Sequence, residues 1–340
     1  MIAMKQGGFV MAQGRVTISD VALAAGVSVS TVSRALSRPG RVNAETAKRI
    51  RLIADELGYR NETVEPFSRD QPSGLIAAFV ADLRNPLFSD IAHSIQHECL
   101  RNGYGLMIVD TEEGNVLERK LASLTLPHAD GFAFLSSRVS DATIRKVAQA
   151  KPVLMVNRTV RGLQSVIADG TKGIGEAVDL LEGLGHREIT YLAGPEASWS
   201  ESTRWQALYA KCSSSRIRLR RIDGSAPTGK GGANAVDAFL GNPTTAVFAY
   251  NDLMAIGFIN ELRERGVDVP GSVSVIGFDG IELGSLISPA LTSVATPWRE
   301  MGRQSAKLLI DQVRHRSVGI SRPVVLPTRL LVRETCAPAK

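Results

Sequence analysis

The sequence predicts an α/β protein in two parts: a small all-α helix-turn-helix domain at the N-terminus, then a core of doubly wound parallel sheets. Two short amphipathic helical patterns flank Gly26 near the start of the chain. From residue 75 onward, apolar strand-like runs alternate with amphipathic helical runs, which is the pattern of βαβ units. The length of 340 residues exceeds what one ordinary hydrophobic core accommodates, so we expect more than one domain.

The first two helices form a helix-turn-helix pattern. Their apolar positions share one face of each helix: Val21, Ala22 and Ala25 in the first, Val32, Ala35 and Leu36 in the second. Gly26 supplies the turn, because a positive φ costs glycine almost nothing, and Ser28 is placed to cap the second helix. In such a motif the second helix enters the major groove of DNA, so the sequence predicts a DNA-binding domain.

The rest of the chain divides into a third helix, a linker and a core. The third helix runs from its cap Asn43 to Tyr59, and the polar residues 61–74, with Pro66 and Pro72, are typical of a linker. The strand-like runs are Leu75–Val80, Leu106–Val109, Gly131–Leu135, Val153–Val156, Ser165–Ala168, Ile189–Ala193, Ala246–Tyr250, Val273–Phe278 and Leu291–Ala295. The helical runs between them include Ile91–Leu100, Ile174–Leu184, Leu253–Arg265 and Met301–Val313. These are too many strands for one sheet, so we expect two lobes.

Composition and charge narrow the classes of function. The chain is 44% hydrophobic and 22% charged, as in a soluble globular protein. It has no apolar run of about 20 residues that would span a membrane, and residues 1–15 do not resemble a signal peptide. Three scattered cysteines predict neither disulfides nor a zinc site. Residues 1–60 hold nine basic and four acidic residues, which nearly accounts for the net charge of +6. We expect a cytoplasmic protein with a phosphate-binding N-terminal domain.

Three motifs resemble the headpiece of the LacI–GalR family of bacterial repressors: Val27-Ser-x-x-Thr-Val-Ser-Arg-x-Leu36, Val42-Asn-x-x-Thr-x-x-x-Ile50 and Ala54-x-x-Leu57-Gly-Tyr59. The resemblance extends over most of the chain. It implies a headpiece at 16–60, a hinge or linker at 61–74 and a two-lobed periplasmic-binding-protein-like core at 75–340. The N-lobe would cover about 75–160 and 292–322, and the C-lobe about 161–291 and 323–340. Three crossovers would join the lobes, with a small effector bound between them.

The resemblance also implies which residues meet DNA. Val29, Ser30 and Arg34 stand where the family places its base-reading side chains, and Arg34 can donate a fork of hydrogen bonds to guanine. We expect three hydroxyl residues, Ser28, Thr31 and Ser33, to contact phosphates, which position a protein without reading sequence. For Arg34 a plain phosphate contact is the alternative.

The linker departs from the family pattern. The leucine that family members wedge into the minor groove falls in register on Ser68, beside Phe67. Pro66 disfavours a short helix outside its first turn, and Glu62 and Glu65 oppose DNA phosphates electrostatically. Phe67 is a candidate substitute wedge; the alternative is a flexible linker and weaker operator binding.

Polar residues that follow the core strands predict the effector site. Those that resemble effector-contacting positions of the family are Asn85, Phe88, Asn157, Arg158, Arg204, Asn251, Asp279 and Thr296. We expect Phe88 to stack on a sugar ring, Asp279 to accept hydroxyls, and the Asn and Arg side chains to bond the remaining hydroxyls. The usual residue at position 157 is Asp, and this difference predicts a ligand unlike those of close relatives. The overall arrangement resembles the pentose-binding members of the family, which implies a pentose such as ribose or a nucleoside. Helix capping is the alternative for Asn251 and its neighbour Asp252, and for Trp199 and Trp298 an ordinary core position is preferred.

Motifs of other functional classes match the sequence less well. Gly224–Gly231 nearly forms a P-loop but lacks the final Ser or Thr, and Gly170–Gly175 lacks the third glycine of a dinucleotide loop. His93 and His97 lie four residues apart on one helix without an evident third ligand, so an exposed helix face is the preferred interpretation. We find no catalytic constellation and expect no cofactor and no metal.

The sequence therefore predicts a homodimeric transcriptional regulator, most simply a repressor, on a palindromic operator. A sugar or nucleoside would act as inducer or corepressor. The alternatives are control by a protein partner or a non-sugar ligand, a solute-binding protein, and a cytoplasmic α/β enzyme.

Overall fold

The computed structural model describes residues 16–37, 40–59, 72–224, 226–315 and 322–340. Its contacts divide the chain into two units, Met1–Ser68 and Arg69–Lys340. Pro66, Phe67, Ser68 and the two glutamates of the linker lie outside the described residues. In the described part of the chain no helix is long and apolar enough to cross a membrane.

The first unit is a three-helix domain: α1 (Ile18–Ala25), α2 (Val29–Ser37) and α3 (Ala44–Glu56). Each helix contributes one fully buried side chain to a shared core, namely Val21, Val32 and Ile50. Asn43 caps α3 by accepting a hydrogen bond from the backbone N–H of Glu45, which confirms the predicted start of that helix. The predicted all-α N-terminal domain is therefore confirmed.

The second unit contains twelve strands and ten helices among its described residues. In chain order they are β1 (Leu75–Val80), α4 (Pro86–Arg101), β2 (Gly105–Asp110), α5 (Asn115–Thr125), β3 (Gly131–Leu135), α6 (Asp141–Ala150), β4 (Val153–Val156), β5 (Gln164–Asp169), α7 (Thr171–Gly183), β6 (Glu188–Leu192), α8 (Trp199–Ser213), β7 (Arg218–Ile222), α9 (Gly229–Asn234), α10 (Val236–Leu240), β8 (Ala246–Ala249), α11 (Asp252–Glu264), β9 (Ser274–Asp279), α12 (Leu283–Leu286), β10 (Thr292–Ala295), α13 (Trp298–His315), β11 (Val324–Pro327) and β12 (Arg329–Leu331).

These strands form two six-stranded sheets, each the centre of one lobe. The first lobe has the strand order β11-β5-β4-β3-β1-β2, and the second lobe has β12-β10-β9-β8-β6-β7. Neighbouring strands run parallel, except β10 and β12, which are antiparallel. Central strands such as β1 and β3 are almost entirely buried, because helices cover both faces of a parallel sheet. The predicted doubly wound, two-lobed core is confirmed.

The chain passes between the lobes three times: after β5, after β10 and after β11. The three crossovers agree with the expected connectivity. Sheet membership assigns β5 and β11 to the first lobe and β10 to the second. The predicted borders near residues 160, 292 and 322 therefore each fall one strand away from the point where the chain changes sheet.

Candidate functional site

The turn of the helix-turn-helix motif has the predicted geometry. Gly26 ends α1 with a φ of 65°, in the left-handed region, and its N–H donates to carbonyls of the preceding turn. Ser28 caps α2, since the backbone N–H of Thr31 donates to its Oγ over 3.3 Å. These two residues fix where the recognition helix α2 begins.

The six residues predicted to meet DNA lie along α2, from its cap Ser28 to Arg34 in its last turn. Ser28, Val29, Ser30, Ser33 and Arg34 are exposed, and Thr31 is half-buried. Val29 leaves 44% of its surface open to solvent although it is apolar, which suits contact with a thymine methyl group. The opposite face of the same helix is buried in the three-helix core.

The hydroxyl groups at this end of α2 are joined to one another. The Oγ of Ser28 lies 2.9 Å from that of Ser30 and 2.8 Å from the Oγ1 of Thr31. Each hydroxyl has one donor position, and the two contacts use two of the three hydrogens, so one remains to donate to a phosphate oxygen. Two basic residues of the domain serve the fold instead: Arg49 and Arg51 donate to the carbonyls of Ala25 and Ala35 at the ends of α1 and α2.

In the core, the carboxyl ends of the strands of both lobes converge on one cleft. A buried ion pair lies on the second-lobe side, where Arg204 of α8 donates to Asp279 at the end of β9 over 3.0 Å. The two side chains are 6% and 3% exposed. The Arg204 guanidinium also donates to the Tyr250 carbonyl and lies 3.7 Å from the ring centroid of Phe278. Arg204 is thereby fixed on three sides.

Burial dominates the electrostatics of Asp279. It raises the pKa of this carboxyl to about 6, against the lowering effect of Arg204. The residue has a φ of 118°, which is rare for a non-glycine residue and costs on the order of 1–3 kcal/mol. Its carbonyl accepts from the indole N–H of Trp298 over 2.6 Å and from the backbone N–H of Thr296 over 3.2 Å.

Thr296 carries an unsatisfied buried group beside this pair. The residue is 6% exposed, and within the described residues its Oγ1 has no hydrogen-bond partner. A buried hydroxyl without a partner costs about 1–3 kcal/mol. The site therefore has hydrogen-bonding capacity next to Asp279 that the folded chain itself does not use.

One predicted residue joins the two lobes. The side-chain amide of Asn157, which follows β4, donates to the Oγ of Ser200 on α8 over 2.9 Å. A cavity of about 670 Å³ opens beside this contact, and its lining includes Ser200, Trp199, Arg204 and Phe278. Trp199 is thus a cleft residue, which corrects the preference for a core position. Trp298, in contrast, is buried in the first-lobe core, as expected.

Four of the predicted effector residues instead make contacts within their own lobe. Asn85 caps α4 and Asn251 caps α11. Phe88 is 5% exposed and packs in the apolar core of the first lobe. The Arg158 guanidinium donates to the carbonyls of Ser137 and Val139 and to Asp141. For Asn251 the capping alternative is the observed contact.

Two cleft residues were missed in the sequence. Arg138, which follows β3 in the first lobe, pairs with Glu113 at 2.6 Å and lies near Tyr250 in the second lobe. A signal was available, because Arg138 and Tyr250 follow strands just as Asn157 and Asp279 do.

Asp252, the neighbour of Asn251, does not cap α11. It is fully buried and accepts from Ser293 over 2.6 Å and from the N–H of Ile281 over 2.8 Å.

Comparison with known families identifies both parts of the chain. Residues 17–62 match the profile of the bacterial regulatory proteins of the lacI family. Residues 178–336 match that of the periplasmic binding protein-like domain.

Individual relatives extend over nearly the whole chain. The transcriptional repressor CytR of Escherichia coli K12 is 33% identical, covering 93% of this chain and 95% of its own. The ribose operon repressor of Bacillus subtilis 168 is 29% identical, covering 94% and 98%.

Solved structures agree with these relatives. A lac repressor dimer bound to operator and an anti-inducer has a TM-score of 0.71 and 26% identity, covering 95% of this chain and 100% of its own. A LacI family regulator of Enterococcus faecalis V583 with bound ribose has a TM-score of 0.71 and 25% identity, covering 78% and 100%. Such regulators are not enzymes. The chain belongs to the LacI family of bacterial transcriptional regulators.

Proposed function

We propose that this regulator is a cytoplasmic, homodimeric repressor whose effector is a pentose or a nucleoside bound between the lobes. Two copies of α2 would read the two halves of a palindromic operator, since the symmetry of a dimer matches that of its site. Ser28, Thr31 and Ser33 would hold phosphates, while Val29, Ser30 and Arg34 would read bases.

The observation that carries the effector proposal is the unused hydroxyl of Thr296 beside the Arg204–Asp279 pair. A carboxylate offers about four acceptor positions, and Arg204 occupies only one oxygen of Asp279. A sugar diol would donate to the remaining oxygen of Asp279 and exchange a second hydrogen bond with Thr296. The relatives whose names or titles mention ribose support this class of ligand.

The cavity next to this pair favours a ligand larger than a free pentose. The lining of the cavity includes aromatic Trp199 and apolar Ile167 and Ala207, together with polar Asn157 and Ser200. A nucleoside combines a polar sugar with a flat base, so it fits a lining of both kinds. Asn157 would then exchange its bond with Ser200 for one with the ligand.

Selection of genomic fragments on the purified full chain tests the regulator. We expect enrichment of a palindrome by the native protein and its loss in Arg34→Ala, with unchanged folding because Arg34 is exposed. Enrichment of non-palindromic sequence alone would contradict the dimeric arrangement.

A panel of pentoses and nucleosides, added to the operator complex, tests the effector. We expect at least one member to change operator affinity. If none does, control by a protein partner or a non-sugar ligand is favoured, because Asn157 and Ser200 already bond each other across the lobes.

A further inference from the structure

The outer face of α4 carries two histidines whose side chains meet. His93 and His97 are exposed, and their Nε2 atoms lie 3.1 Å apart. They stand four residues apart, which makes them neighbours on a helix surface. The other face of α4 is held in the first-lobe core through Ile91 and Ile95, so the backbone carrying the pair is fixed.

The ring geometry is compatible with two ligands of one ion. The ring centroids lie 4.5 Å apart and the ring planes are 86° apart. Two imidazoles bound at about 2.0–2.1 Å in adjacent positions of an octahedral or tetragonal ion, about 90° apart, hold their nitrogens roughly 2.9 Å and their ring centroids roughly 4.5 Å apart.

We propose that His93 and His97 bind one divalent transition metal ion per chain, on the outer face of α4. Imidazole is a preferred ligand of Zn²⁺, Ni²⁺ and Cu²⁺ and a poor one for Mg²⁺ and Ca²⁺. Among the described residues no group of three or more His, Cys, Asp or Glu side chains is placed to hold a metal. Water therefore completes the coordination, and the site is weaker than a structural zinc site with four protein ligands.

The proposal is independent of the operator and of the effector. The pair lies on the solvent side of α4, whereas Asn85 and Phe88 stand at the start of that helix. Binding to the folded chain stabilises it by mass action, so the melting temperature gives a second readout.

Calorimetric titration of NiCl₂ into the full chain, freed of any histidine tag, tests the proposal. We expect one site per chain, with affinity in the order Cu²⁺ > Ni²⁺ > Mn²⁺ and no binding of Mg²⁺. His93→Gln and His97→Gln should each weaken binding by about tenfold or more. The matched control is His128→Gln, since His128 is also exposed and should leave binding unchanged.

Two outcomes would overturn the proposal: absence of Ni²⁺ binding to the native chain, or equal binding by the native chain and the His93→Gln/His97→Gln variant. Melting in EDTA separates loss of the site from loss of the fold, because the variants should then melt like the native chain. Electron paramagnetic resonance of the Cu²⁺-loaded chain should show hyperfine coupling to two nitrogens.

Discussion

The recognition helix and the cleft arrange their polar side chains in opposite ways. On α2, Ser28, Ser30 and Arg34 are exposed on a face that the three-helix core does not need. In the cleft, Arg204 and Asp279 are almost fully buried and paired with each other. A DNA contact therefore uses side chains that are already exposed to water. An effector, in contrast, must bind to buried side chains that also stabilise the lobe, through the hydrogen-bonding positions that the fold leaves unused. Substitutions on α2 should change binding alone, and substitutions in the cleft should change binding and stability together.

The largest effect is expected for Arg204→Met. This change leaves the Asp279 carboxylate buried without its partner, and breaking a buried pair in this way costs about 3–5 kcal/mol. The loss is measured as the decrease in the free energy of unfolding of the core, in a denaturant titration of the full chain. The matched control is Arg145→Met, which breaks a pair with Asp141 whose side chains are 48% and 44% exposed and should cost about 0–1 kcal/mol. Equal losses of stability in both variants would contradict the contrast between the buried and the exposed ion pair.

Asp252 is expected to make the free energy of unfolding depend on pH, by a few kcal/mol. Burial, with the nearby Asp279, raises the pKa of Asp252 to about 7 from an ordinary 3.8. Between these values the folded chain keeps a proton that the unfolded chain has released, so the free energy of unfolding falls as pH rises through this window. Asp252→Asn removes this titration and should flatten the fall, as measured by urea unfolding across the window. If the free energy of unfolding changes with pH by the same amount in the native chain and in the variant, the prediction for Asp252 is wrong.

A smaller effect, confined to DNA, is expected at Arg34. If Arg34 reads guanine, Arg34→Lys should lose about 1–3 kcal/mol on the selected operator and relax the preference at one base pair, because lysine cannot form the bidentate fork. A phosphate contact predicts that Arg34→Lys binds almost as the native chain does. Fluorescence anisotropy on the operator and on its single-base variants distinguishes the two, and the melting temperature should not change.

The regular elements of the fold were predictable because they are amphipathic or buried on both sides. The three strands absent from the prediction, β7, β11 and β12, are all edge strands of their sheets. An edge strand needs no continuous apolar run, and β7 carries Arg218, Arg220 and Arg221 among its five residues. Their pairing depends on neighbours distant in sequence, which local patterns do not record.

The cleft was predicted by position, whereas the partners of its side chains were not predictable. Residues that follow strands do gather there, as Asn157 and Asp279 show. Chain position does not reveal that Arg158 turns towards the loop after β3, or that Phe88 is held in an apolar core. Whether a polar side chain faces the ligand or the fold is decided by tertiary contacts.

The most direct test of the account is the response of operator binding to the pentose and nucleoside panel, compared between the native chain and Thr296→Val. Valine keeps the shape of threonine and removes a hydroxyl that has no partner among the described residues, so stability should be unchanged or higher. The account predicts that an effector shifts operator affinity in the native chain and that the variant needs about three- to tenfold more of it, the equivalent of one hydrogen bond. An identical response in both proteins, or no response to any member of the panel, would contradict it.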